Sequence, residues 1–276
     1  KPIKSIQYCT MFFFGLKEFQ GCYAPMWDRI DTNRKVACQF PSDPDGDAFR
    51  AGLEPLIQAS GYQVIDGGPY KDGATDFTAM ISKFKEVDAE LFINCPLPPD
   101  FITFWQQASH QGWKPKLATV AKVLLFPADL RPLGPLVNNI ATDSWWGPYT
   151  PNISSLTGGS AKALADGYEA TSGNQWVQSL GSTYSLFEVA REALRGVSDP
   201  HDAAEVASAL HNVNYTGMCG ALNFAAGPAP GVAILSPVGV QWRKTTSGTY
   251  PYEMKVVDNT LNAGVPIQVD LEPTNA

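Results

Sequence analysis

The chain has 276 residues, 44% of them hydrophobic and 17% charged, with a formal net charge of −7. That length suits one large domain or two ordinary ones, and the composition is that of a globular protein. An acidic balance without a run of Lys or Arg excludes a nucleic-acid or anionic-membrane surface, and no apolar window is long enough to span a bilayer.

The opening residues, KPIKSIQYCT, have no apolar h-region and do not read as a signal peptide; a leader removed earlier is compatible with them. Tyr8–Phe14 is apolar and aromatic, as a strand is. After Gly15, Phe19, Tyr23 and Trp27 recur at four-residue spacing and predict a helix. Arg34–Phe40 is a second strand, PSDPDGD a loop, and Phe49, Leu53, Leu56 and Ile57 mark a helix from about Ala48 to Ser60. Tyr62–Ile65 is a third strand. Thr75 or Asp76 then caps a helix carrying Phe77, Met80, Ile81 and Phe84. Glu90–Asn94 is a buried strand that leads into a proline loop, Cys95–Pro99. Phe101, Phe104, Trp105 and Ala108 share one helix face, Gly112 stops that helix, and Leu117–Val120 is the next strand.

This half therefore reads β-α-β-α-β-α-β, an α/β fold with a parallel sheet and helices on both faces. In such sheets ligands bind at the loops leaving the strands' carboxyl ends, which singles out the Cys95–Pro99 loop. A helical turn around Pro127–Leu133 and a strand at Asn139–Trp145 follow, and then the rhythm changes. Helices are predicted at 160–172, 179–195 and, starting at Asp199-Pro200, 199–210. No strand is expected between them and the Gly227–Gly231 linker. Val238–Arg243 and Tyr252–Asp258 are two closing strands with a turn at Ser247-Gly248. Three helices with no sheet of their own make a poor core, so this half needs a partner.

Five cysteines without C-x-x-C spacing and three scattered histidines give no zinc site, and Cys38 and Cys95 read as buried thiols. Asp43, Asp45, Asp47 and Glu54 fall at calcium-loop spacing, but Ala48 stands where that loop needs glycine. An acidic helix start is the better reading. No G-x-S-x-G, H-E-x-x-H, Walker or G-x-G-x-x-G motif is present, so neither an enzyme nor a cofactor is proposed by any residue set. Aromatic residues at strand ends, Phe12–Phe14 with Trp145 and Trp146, point to an apolar pocket. Adjacent strand residues face opposite ways, so one Trp is expected inward and the other at a cleft. Lys122, at the end of Leu117–Val120, reads as a solvated lysine or as a cation facing an anionic ligand group.

The order FPSDPDGDAFRAGL, GYQVIDGGPYKDGATDFTAMISKFKEVDAELF, FWQQASHQGWKPK, SAKALADGYEATSGNQW, YSLFEVAREAL and VGVQWRK resembles the type I periplasmic solute-binding proteins, the Leu/Ile/Val-binding-protein-like receptors of ABC importers. The resemblance covers nearly the whole chain. It implies an extracytoplasmic receptor, periplasmic or membrane-anchored, that binds a small molecule between two hinged lobes and hands it to a membrane permease. A ligand-sensing domain of the same fold and, further off, an α/β enzyme are the alternatives.

Members normally carry a further stretch ahead of this point, most of the first lobe. By that reading 1–143 and 237–276 form the second lobe, and 144–236 is the helical remainder of the first. Half of the ligand pocket would then be absent from this chain or supplied by another polypeptide. Carried over by position, ligand contacts fall at Asp45, Leu97, Pro98, Ala121 and Lys122, with Phe14 and Trp145 from the hinge strands and Tyr184 at a helix start. Amino-acid receptors of the family place an acid near Ala121–Lys122. Here Lys122 has the opposite sign, which favours a carboxylate on an aliphatic or aromatic body. Cys9 and Cys22 can pair only if strand and helix bring them together.

Overall fold

The computed structural model describes residues 8–274. The chain divides into two compact units. One comprises Leu16–Ser144 with the described part of Val238–Ala276; the other comprises Trp145–Pro237 with the described part of Lys1–Gly15. The described residues up to Gly15 thus group with 145–237, not with the sheet that follows them, whereas the resemblance puts 1–143 in one lobe.

Among the described residues of the first unit, a seven-stranded sheet runs in the order β11-β10-β6-β5-β4-β2-β3. Its strands are β2 (Lys35–Gln39), β3 (Gln63–Asp66), β4 (Leu91–Asn94), β5 (Leu117–Val120), β6 (Ala141–Ser144), β10 (Val238–Lys244) and β11 (Tyr252–Asp258). β3, β2, β4, β5 and β6 are parallel; β10 runs antiparallel to β6 and β11 antiparallel to β10. The strands of the first half are thus parallel as expected, and the closing hairpin adds two antiparallel strands at one edge.

β4 and β5 are buried at every position because both faces are covered. Leu91 and Ile93 pack into one cluster with Cys22, Tyr23, Met26 and Trp27 of α1 (Leu16–Asp28). Phe92, between them, turns to the other face and stacks on Phe104 of α5 (Pro98–His110), with ring centroids 5.0 Å apart. Period-two alternation puts the two helices on opposite sides. Each such buried aromatic contributes roughly 2–3 kcal/mol of transfer free energy. Trp27 Nε1 donates to Thr119 Oγ1 at 3.2 Å, and Trp105 Nε1 to Leu136 O at 3.0 Å, so the polar ends of both indoles are satisfied.

Helix starts account for most boundary differences. Helical backbone begins at Pro44, not Ala48: α2 (Pro44–Ala48) continues through a π-turn at Phe49–Leu53 into α3 (Glu54–Ala59). Asp43 is its N-cap, accepting from Gly46 N, and Pro44 stands at the first position, where a missing N–H costs nothing. α5 likewise starts at Pro98, which shortens the expected proline loop. In α4 (Thr78–Glu86) the cap position is Phe77, yet Asp76 Oδ1 still accepts from Thr78 N at 2.9 Å.

The expected turn around Pro127–Leu133 opens with α6 (Pro127–Leu130). In the second unit, α7 (Ala161–Ser172) and α8 (Ser179–Arg195) lie where expected. α9 (Ala203–His211) starts later than Asp199-Pro200, because Asp202 accepts from Ala204 N and Glu205 N. Three short strands here were not foreseen. β7 (Asn214–Gly217) and β8 (Gly220–Asn223) form a hairpin, and β9 (Val232–Ile234) pairs in parallel with β1 (Met11–Phe13). Glu188 of α8 is fully buried and accepts from Ser155 N at 2.7 Å, Ser185 Oγ at 3.0 Å and Met218 N at 2.8 Å. One carboxylate thus ties helix, loop and hairpin together. Its acceptor oxygens repay burial through charge-assisted bonds. All five cysteines are free thiols, and Cys22, Cys38, Cys95 and Cys219 are buried. The conditional Cys9–Cys22 pairing is not made.

Candidate functional site

The loops after β2, β4 and β5 leave three neighbouring strands at their carboxyl ends, where open α/β sheets bind ligands. The first, Phe40–Asp43, is shaped by Gly46, where a Cβ would lie 2.1 Å from Pro41 O. Gly46 N donates to Asp43 Oδ1 at 2.6 Å, which closes the turn and sets Asp45 in the exposed first turn of α2. The second loop places Leu97, an exposed side chain, ahead of Pro98 at the first position of α5.

The third loop is a tight one. Val123 N donates back to Ala121 O at 2.7 Å across Lys122, whose φ is 59° and ψ −74°. This is a classic-handed γ-turn, a strained conformation for a residue with a side chain. Ala121 is buried beneath it, and Ala121 N donates to Asn94 O at 3.0 Å, so the turn is anchored to β4.

The turn aims Lys122 at the first loop. Its Nζ ion-pairs with Asp45 and lies 3.9 Å from Asp43 Oδ2. Burial opposes the Lys122 charge, but the hydrogen bond to Asp45 and the charges of Cys95, Asp45 and Asp43 outweigh it, so its pKa is raised. Burial pushes the Cys95 thiol up to about 12, with Lys122 opposing and Asp45, Asp143 and Asp43 adding. Asp45, Ala121 and Lys122 are thus brought together at these strand ends. Lys122 is not a bare cation, however. Two carboxylates face one ammonium, and the locus carries a negative charge in excess. Asp43 is the member that sequence reasoning placed only as a helix cap. Its pairing with Lys122 is a tertiary contact with no local signal.

The second unit holds the other expected residues. The Phe14 ring stacks on Phe13 at 4.3 Å between centroids, and Trp145 meets both rings, at 5.2 Å from Phe13 and 6.0 Å from Phe14. Trp146 is fully buried and Trp145 half-buried, so the pair divides as alternation requires. Phe13, 38% exposed, belongs to the Phe12–Phe14 run singled out from the sequence but is not among the contacts carried over from the resemblance. Trp145 N donates to Gln178 Oε1 at 3.1 Å. Tyr184 does not join this cluster in any ring contact among the described residues. Its hydroxyl is shared with Ser154 Oγ at 2.8 Å and Thr157 Oγ1 at 3.3 Å.

A family profile described as periplasmic binding protein matches residues 21–233. The chain belongs to the periplasmic binding protein family. Solved periplasmic binding folds align at low identity. A leucine-binding protein from Thermotoga maritima superposes with a TM-score of 0.71 at 16% identity, over 88% of this chain and 65% of that one. A leucine-, isoleucine-, valine-, threonine- and alanine-binding protein from Brucella ovis gives 0.69 at 15% identity, over 87% and 59%. A fatty acid ABC transporter substrate-binding protein from Thermomonospora curvata gives 0.70 at 14% identity, over 96% and 69%. This periplasmic binding chain thus spans about two thirds of the length of the solved structures it resembles. No curated protein matches it.

Proposed function

We propose that the chain is the solute-binding component of an ABC importer, acting outside the cytoplasm. It takes up a small organic acid, amino acids included, and presents it to a membrane permease without making or breaking a bond. The family match over 21–233 carries the receptor reading. Strand-end chemistry supports the ligand class. Lys122 supplies a cation held in a strained turn, while the excess charge of Asp43 and Asp45 matches an ammonium. Exposed Leu97, on the same unit as Lys122, offers apolar contact of the kind a solute's body needs. Solutes named for the superposed structures, leucine and a fatty acid, both join a carboxylate to an aliphatic chain.

Exposed apolar residues also bear on partners. On α8, Leu186, Phe187 and Leu194 face solvent, and Met11, Phe13 and Ile234 do so on the β1–β9 pair. Two parallel strands are too few for an independent sheet. This supports a reading in which further polypeptide covers the second unit, and among the described residues no helix is long and apolar enough to cross a membrane.

The test is thermal unfolding with branched-chain amino acids, aromatic acids and aliphatic acids. A ligand present at a hundred times its dissociation constant stabilises by about 2.7 kcal/mol. For a chain of this size that is a shift of roughly 5–10 °C. The stabilisation is expected to disappear in Lys122→Ala for carboxylates. If no member of the panel moves the transition, the receptor reading is wrong. Amino acids that stabilise the Lys122→Ala variant as well as the parent would remove Lys122 from the site.

A further inference from the structure

The β3–α4 connection and the first turn of α5 in the sheet unit bury two polar atoms that no neighbour satisfies. Neither the Tyr70 hydroxyl nor Asp100 Oδ2 has a hydrogen-bond partner, although the two residues are only 8% and 3% exposed. Buried polar atoms are almost always paired, and a charged oxygen left alone is the costliest exception. The other oxygen of Asp100 is taken by Gly73 N at 3.0 Å, which points the carboxylate at the loop carrying Tyr70.

Tyr70 is held in place from three sides. Ser42 N donates to Tyr70 O at 2.7 Å, Pro41 bridges it as an extra strand pair, and its ring meets Phe77 edge-on at 5.2 Å. Burial first, then the charges of Asp100, Asp72, Cys95 and Asp43, raise the hydroxyl's proton affinity. Burial and Asp72 likewise raise Asp100 against the Gly73 hydrogen bond. The carboxylates acting on the two groups, Asp72 and Asp43 besides Asp100 itself, are negative. A polar locus with this sign bias calls for a positive charge.

We propose that Tyr70 Oη and Asp100 Oδ2 are ligands of a small monovalent-cation site at the carboxyl ends of β3 and β4, filled by an inorganic ion or by a primary ammonium. The charge follows from the donor set. One anionic oxygen and one neutral hydroxyl match a single positive charge. Among the described residues no group of three His, Cys, Asp or Glu is placed to hold a metal ion, which divalent cations generally require. The site uses neither Lys122 nor Asp45, so it stands or falls apart from the receptor reading.

The test is thermal unfolding of the whole chain at fixed ionic strength in sodium, potassium, ammonium, methylammonium or choline chloride. Choline is the control, being too bulky to fit. A saturable rise of a few degrees in Tm over choline is expected with at least one small cation. Tyr70→Phe keeps the ring contact with Phe77 and is expected to abolish the rise, as is Asp100→Asn. In choline alone, Asp100→Asn is expected to match or exceed the parent, since it removes an unpaired buried charge. An effect of sodium or potassium identifies an inorganic occupant, whereas an effect confined to ammonium and methylammonium identifies an amine. Equal transitions in all five salts overturn the proposal and leave the two atoms to water.

Discussion

Gly46→Ala is expected to destabilise the chain by about 3 kcal/mol, because the added methyl must displace backbone, not the tip of a side chain. The nearest atom is Pro41 O at 2.1 Å, and the Pro41 carbonyl carbon and Cδ both follow at 2.9 Å. Relief requires opening the turn in which Gly46 N bonds Asp43 Oδ1, and that turn sets the entry of α2. Since Asp43 and Asp45 face Lys122 from this turn, solute binding is expected to weaken together with stability. Chemical denaturation of Gly46→Ala beside Gly167→Ala measures the effect. Gly167 lies in α7 with nothing within reach of a Cβ, so alanine there is expected to stabilise by up to about 1 kcal/mol. Equal midpoints for the two variants would remove the close approach as the cause.

The second large effect is a pH dependence. Asp143 on β6 is buried and accepts from the Tyr23 hydroxyl at 2.5 Å. Burial pushes its pKa up to about 6, against hydrogen bonds from Tyr23 and its own backbone. The titratable neighbours are Cys22 and Tyr23 on α1 and Cys95 after β4, each raised by burial first and by Asp143 among the charges. A folded pKa above the unfolded value means that the native state binds the proton more tightly. The stabilisation is then complete below about pH 4 and is lost as pH rises through about 6. Two pKa units correspond to roughly 3 kcal/mol. Asp143→Asn is therefore expected to be more stable than the parent at pH 7.5, by about 2 kcal/mol after the cost of housing the amide. Near pH 4 the difference is expected to close. A gap between the two proteins that stays constant from pH 4 to 8 would show that Asp143 does not titrate in this window.

Much of the architecture was legible from residue order. Leu117–Val120, Ser179–Arg195 and Tyr252–Asp258 were bounded as observed, because each is a strongly patterned run closed by Gly, Pro or polar residues. The start at Pro44 was not, because PSDPDGD has a loop's composition while Asp43 and Pro44 hold the two positions that open a helix. β7, β8 and β9 are three or four residues long, with a glycine ending β7 and opening β8, too short for alternation to register. At the site, local sequence located Lys122 and the aromatic strand ends. The partners of Lys122 come from a loop far away in the chain, so the sign of the locus was not readable. The same holds for Tyr70 and Asp100, whose shared predicament exists only in the folded unit.

The two strands that extend the larger sheet beyond β6, β10 and β11, come after the entire Trp145–Pro237 segment. β6 therefore waits as a bare edge while that segment is made, and its pairing with β10 closes a very long loop. Such non-local pairing slows folding, and an open edge invites mispairing in the interval. Nascent chains halted before Val238 are expected to leave Leu16–Ser144 open to protease, and chains extended past Asp258 to protect it. Completion of the sheet is in this sense a timer. The sheet is expected to reach its full, protease-resistant form only once its β10–β11 hairpin has been synthesised.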